Sequence, residues 1–150
     1  MKDLTPQEIT ILKDSWKEMA PRIHEMTSYF YNNLHAIDPS LVPSFSDQQE
    51  LYKQADKALY CIGFLIASLD NLIVADAGIK KIFKDFRASH KRIKFSDSTK
   101  LIQAFILSAK TTFKENWTNR QTICWYRLTT ILLEILNNGK VDIKLQLVQI

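Results

Sequence analysis

Hydrophobic and polar positions in this chain recur at spacings of three and four over most of its length, the period of an α-helix with one buried face. The pattern is sharpest from Ile79 to Ile93. There Ile79, Ile82, Phe83, Phe86, His90 and Ile93 share one face, and Lys80, Lys81, Lys84, Arg87, Lys91, Arg92 and Lys94 cover the rest against a single acid, Asp85. The spacing predicts a helix over 79–93 with a histidine set into its apolar side. A polar ring aimed inward needs a partner, because burying it without one is costly. Two readings are open at this point. One is a core histidine bonded to a backbone carbonyl; the other is a ligand for a metal or cofactor, a role that neutral imidazole suits.

The same periodicity lays out the remaining elements. Thr5-Pro6-Gln7-Glu8 is a capping box with proline at the first helical position, followed by Ile9, Leu12, Trp16 and Met19 and an end near Ala20. A second helix over about 22–35 carries Met26, Tyr29, Phe30 and Leu34, with Tyr31 between faces. Asp38-Pro39-Ser40 opens a turn through Leu41 and Val42, and Pro43-Ser44-Phe45 leads into a loop. A long helix over about 49–67 is expected to bury Leu51, Ala55, Ala58, Leu59, Ile62, Leu65 and Ile66, with Gln54 one turn before Ala58 on the same flank. Asp70-Asn71 and Asp76-Ala77-Gly78 punctuate the turn region that follows. Ser96-Asp97-Ser98 offers an N-cap for a helix from 99 to about 115. Thr118-Asn119-Arg120-Gln121 is a second capping box, for a last helix through Ile135 that Asn137-Asn138-Gly139 stops. The expected fold class is all-α.

Composition sharpens this picture. With 3 glycines, and 4 prolines that all lie within the first 43 residues, the chain favours long helices over many short strands. At 150 residues, 46% hydrophobic and 24% charged, it has the size and balance of one globular domain and not of a disordered segment. No apolar run approaches the roughly 20 residues that span a bilayer. Met-Lys-Asp-Leu-Thr lacks the apolar core of a signal peptide, so the expected location is cytoplasmic, with no membrane partner. The net charge is +4, and the basic excess lies over 80–94. No recognition motif or stacking-aromatic pattern accompanies that stripe, so a nucleic-acid partner is not expected; a solvated face or an acidic partner is. Cys61 and Cys124 form neither a CxxC pair nor a zinc spacing and read as small buried apolar residues.

Phe30-Tyr31-Asn32-Asn33-Leu34 and then Asp38-Pro39-Ser40-Leu41-Val42-Pro43-Ser44-Phe45, after a Thr-Pro-capped first helix, resemble the globins. The likeness is strongest to bacterial single-domain haemoglobins of the flavohaemoglobin type. The run from Ile62 to Leu72 looks like the end of that family's distal helix, and His90 falls where its proximal histidine belongs. Asn116-Trp117-Thr118 looks like the start of its last helix. The resemblance covers about residues 4–139. It implies a globin domain over 1–139, with 140–150 as a C-terminal tail, folded as a three-over-three helical sandwich around a pocket for haem b.

By that resemblance His90 would be the proximal ligand of the haem iron, with the backbone carbonyl near Phe86 accepting its other ring proton. Phe45 would stack on the haem edge. Tyr31 would be the distal phenol and Gln54 the distal amide, both suitable donors to a diatomic ligand carrying partial negative charge. On their own residue types, Tyr31 reads equally as a core tyrosine and Gln54 as an exposed helix residue. Counted without a gap from Phe45, the family's distal glutamine position lands on Ala55 and its aliphatic position over the iron on Leu59. Gln54 takes the distal role if the helix starts one residue earlier. The family's tyrosine behind the proximal histidine is Lys100 here, and the nearest acid for its glutamate partner is Glu134, so peroxide-type chemistry is not implied.

The implied function is reversible binding of oxygen, with nitric oxide and carbon monoxide as further ligands. Two alternatives stand beside it. One is nitric oxide dioxygenation, which needs electrons from a separate, acidic reductase that would dock on the basic stripe. The other is a globin-type gas or redox sensor, or a scaffold without haem.

Overall fold

The computed structural model describes residues 4–45, 47–72 and 74–136. Among these residues there is no strand. Six α-helices are joined by short 3₁₀ turns: α1 (Pro6–Met19), α2 (Ile23–Ile37), α3 (Gln48–Ala67), α4 (Asp76–Ser89), α5 (Ser98–Phe113) and α6 (Asn119–Leu136). The all-α expectation holds. The expected stop at Asn137-Asn138-Gly139 and the tail over 140–150 lie outside the described residues.

Helix starts follow their caps. Thr5 Oγ1 accepts the Glu8 amide at 3.1 Å, and Glu8 Oε1 accepts the Thr5 amide at 2.8 Å. The same reciprocal pair opens α6, with the Thr118 amide on Gln121 Oε1 at 2.8 Å and the Gln121 amide on Thr118 Oγ1 at 3.1 Å. Asp47 caps α3 through the Glu50 amide at 3.0 Å. At α5 Asp97 stands at the N-cap, within the stretch expected to supply it. The Asp97 carboxylate accepts the Lys94 amide at 2.8 Å, which fixes the turn before the helix, and Asp97 makes no side-chain cap bond to α5 itself.

The histidine helix also differs from the spacing's prediction. α4 begins at Asp76, takes in Gly78 and ends at Ser89. His90 is its C-cap, at φ −127° and ψ 62°, with its amide still bonded to the Phe86 carbonyl at 3.1 Å. The Ile93 amide then closes a turn onto the His90 carbonyl at 3.0 Å. His90 and Ile93 thus keep their inward side without being helical, because a turn returns both side chains to the core.

The main helix–helix contacts are α2–α5, α2–α3, α1–α6, α4–α6, α1–α3 and α5–α6. The larger core runs along α1, α5 and α6 and includes Leu12, Met19, Ile106, Trp125 and Leu128. Two polar ties cross it. Gln121 Nε2 donates to buried Ser15 Oγ at 3.0 Å, and Arg127 pairs with Glu8 at 2.6 Å. A smaller cluster of Tyr31, Leu34, Leu41, Ile93 and Ala104, flanked by Phe45, Leu51 and Phe86, fills the other end.

Candidate functional site

The two clusters leave an apolar cavity of about 880 Å³ between them, walled by α2, α3, α4, α5 and α6. α2 contributes Met26, Phe30 and Tyr31; α4 contributes Ile79, Ile82, Phe83 and Phe86; α6 contributes Leu132 and Leu136. α3 presents Gln54, Lys57, Ala58, Cys61, Ile62 and Leu65, a stripe at spacings of three and four. The volume lies in the range of sites that enclose a sizeable organic ligand, roughly 300–1,000 Å³. Exposed Lys57 and Lys81 place cationic side chains in the wall.

Gly78 is what lets α4 close on this space. A Cβ there would come within 2.7 Å of the Phe64 ring, which also lines the cavity. The sequence signal for this close approach is a glycine inside a helical pattern, which the turn assigned to 76–78 obscured.

At one end of the cavity a buried polar pair is set among aromatic rings. His90 is 3% exposed and Tyr31 8%. His90 Nδ1 lies 2.9 Å from the Phe86 carbonyl oxygen, and its Nε2 lies 2.7 Å from Tyr31 Oη. A carbonyl can only accept, so Nδ1 carries the proton. Nε2 of a neutral imidazole then offers its lone pair to the Tyr31 hydroxyl, which donates. Burial, opposed by the Phe86 carbonyl and aided by Lys57, lowers the His90 pKa and favours the neutral ring. Burial also pushes the Tyr31 phenol up, so it stays protonated. The Phe86 ring stacks on His90 at a centroid distance of 4.0 Å. Phe30 and Phe45 meet the Tyr31 ring edge-on at 5.0 and 4.9 Å.

The candidate residues therefore divide. Tyr31, Gln54 and Phe86 line the cavity. His90 and Phe45 do not line it, but each touches a residue that does: His90 through Tyr31 and Phe86, Phe45 through Tyr31. Ala55 is fully buried yet off the cavity wall, and Leu59 is 37% exposed. Leu59 thus departs from the expectation that it is buried over the site. The α3 part of the wall is centred on Gln54, Ala58, Cys61 and Leu65, and Leu59 is not part of it. Of the two residues left open by the sequence, Gln54 lines the cavity and Ala55 does not.

Lys100, at the position where the resembled family has a tyrosine, donates to Asp38 Oδ2 at 2.8 Å. Cys61, half-buried, and Cys124, buried, are both free thiols held up in pKa mainly by burial. The basic side chains Lys81, Lys84, Arg87, Lys91, Arg92 and Lys94 are exposed. No helix among the described residues is long and apolar enough to cross a membrane.

No known family and no curated protein matches this chain.

Proposed function

We propose that this chain is a haem-binding globin that binds oxygen and related diatomic gases reversibly. The observation that carries the reading is His90: a buried, neutral imidazole with its tautomer fixed by the Phe86 carbonyl, next to an apolar cavity of about 880 Å³. An all-helical wall to which α2, α3, α4, α5 and α6 all contribute supports a globin-type fold in the same sense.

The residues present fit such a group in their chemistry. Metal ligation by a histidine uses the unprotonated nitrogen; here Nδ1–H donates to a backbone carbonyl, and Nε2 is the unprotonated nitrogen, its lone pair accepting the Tyr31 hydroxyl. In the haem reading the metal's other ligands would come from the macrocycle. Met26, Phe83, Leu65 and Leu132 supply apolar walls for a flat ring, and Lys57 and Lys81 supply cations for its carboxylates. Haem, when bound, supplies the iron position at which a diatomic gas is held. His90 would hold and orient the group through Nε2. Gln54, from α3, lies on the cavity wall, and Tyr31, from α2, would become a second donor there once its hydroxyl leaves Nε2. Tyr31 stays a donor at neutral pH because burial keeps it protonated.

The test is spectroscopic and kinetic. Reconstituted, reduced protein should bind oxygen and carbon monoxide reversibly, and Tyr31→Phe should release oxygen faster. An unchanged release rate would take Tyr31 out of that role.

One observation favours a second reading. The Tyr31 hydroxyl at 2.7 Å from Nε2 satisfies His90 without a metal, as it would in a globin-like scaffold whose cavity takes a plain apolar ligand. Stoichiometric haem uptake that depends on His90 separates the two readings.

A further inference from the structure

The lone pair of His90 Nε2 has one direction and takes one partner. With Nδ1–H committed to the Phe86 carbonyl at 2.9 Å, that lone pair receives the Tyr31 hydroxyl at 2.7 Å. The Tyr31 and His90 rings are within 6° of parallel. Phe30 and Phe45 fix the phenol edge-on, and Phe86 covers the imidazole. Coordination of a metal by Nε2 and the Tyr31 hydrogen bond are mutually exclusive, since both use the same two electrons.

We propose that Tyr31 is an internal competitor for the metal-binding nitrogen of His90, so that haem uptake and release of Tyr31 from His90 are a single exchange. The inference rests on the haem reading given above. In the exchange the Oη–H···Nε2 hydrogen bond is given up, and the Nε2 lone pair would hold the group's metal in place of a water ligand, which leaves. The proton stays on the Tyr31 oxygen, and neither ring is oxidised or reduced. Tyr31 lines the cavity, so a phenol that leaves Nε2 would turn into that space. Tyr31 thereby sets how tightly the chain holds a metalloporphyrin, separately from any contact it makes with a gas.

Zinc protoporphyrin is the discriminating probe, because it takes one axial ligand and leaves nothing on its other face for Tyr31 to bond. Its affinity for the wild type, Tyr31→Phe, Tyr31→Leu and His90→Ala is measured by fluorescence, with circular dichroism to confirm that each variant is folded. The expected result is tighter binding by Tyr31→Phe, between about two-fold and about ten-fold, the ratio that a net hydrogen bond corresponds to. Tyr31→Leu should move in the same direction, and binding should be lost in His90→Ala. In the metal-free wild type the His90 ring nitrogens, observed by ¹⁵N NMR, should show Nδ1 protonated and Nε2 hydrogen-bonded, with the Nε2 resonance shifting in Tyr31→Phe. Equal or weaker binding by folded Tyr31 variants, with binding still dependent on His90, would overturn the competition and leave the haem reading standing. An Nε2 resonance unmoved by Tyr31→Phe would also overturn it. Absence of porphyrin binding in the wild type and both Tyr31 variants would remove the haem reading, and the competition with it.

Discussion

Removing both halves of the Tyr31–His90 pair together should cost less than the sum of removing each alone. Both residues are almost fully buried, at 8% and 3% exposure, and their polar atoms are 2.7 Å apart. Tyr31→Phe leaves Nε2 as a buried acceptor without its donor, a loss of about 1–3 kcal/mol. His90→Leu leaves the Tyr31 hydroxyl in apolar surroundings and removes the donor to the Phe86 carbonyl, for a loss at the upper end of that range or somewhat above. The double variant has neither orphan, so the two losses should overlap by about 1–2 kcal/mol. For a chain of this size about 1 kcal/mol corresponds to roughly 2–4 °C in melting temperature, so each single variant should melt several degrees lower. The assay is urea unfolding of metal-free protein followed by circular dichroism, at about pH 8. At that pH His90 is neutral in both states, because its folded pKa lies below the ordinary 6.5. Single-variant losses that add to within about 0.5 kcal/mol would show that the two groups do not interact and would refute the geometry argued here.

Three further outcomes are expected. Ala58→Phe places a ring in the cavity from the α3 wall, so it should stabilise the metal-free chain by up to about 2 kcal/mol and lower haem uptake at least about ten-fold; undiminished uptake would place haem elsewhere. Asp38 is held well below its ordinary 3.8, at about 2, first by the Lys100 ammonium and then by Ser40, so its contribution to stability is present above 3.8 and is lost as pH falls toward about 2. Asp38→Asn should therefore flatten the dependence of the urea midpoint on pH in that window, by a small amount given the exposed position of the pair, and an unchanged slope would mean the pair is not formed in solution. The exposed cations on α4 and the turn after it should make reduction by an acidic electron donor slow as ionic strength rises, and a flat response would discard that docking face.

Much of the helical frame was legible because its signals are local. The Thr5–Glu8 and Thr118–Gln121 boxes each act within three residues, and both form as their spacing predicts. The end of α1 before Pro21 is equally local. What was not legible depends on tertiary contacts. Which way α3 is rolled decides whether Leu59 or Ala58 meets the cavity, and periodicity alone cannot choose between neighbouring stripes. The helix over 79–93 was expected to continue through His90, but it stops at Ser89, and a turn then brings His90 and Ile93 into the core. Gly78 was read as punctuation, yet it lies within α4 against Phe64. His90 did call for a partner on its own sequence. That the partner on Nε2 is Tyr31, 59 residues away, follows only from the packing of α2 against the end of α4.

The central claim is that His90 is a metal ligand and not only a satisfied core histidine. Titration of the metal-free protein with ferric haem, followed by reduction and addition of carbon monoxide, tests it most directly in the wild type and in His90→Ala. One haem per chain, a ferrous spectrum that shifts on carbon monoxide, and loss of stoichiometric uptake in His90→Ala are expected. Normal haem loading in folded His90→Ala, or no stoichiometric uptake by the wild type, would contradict it.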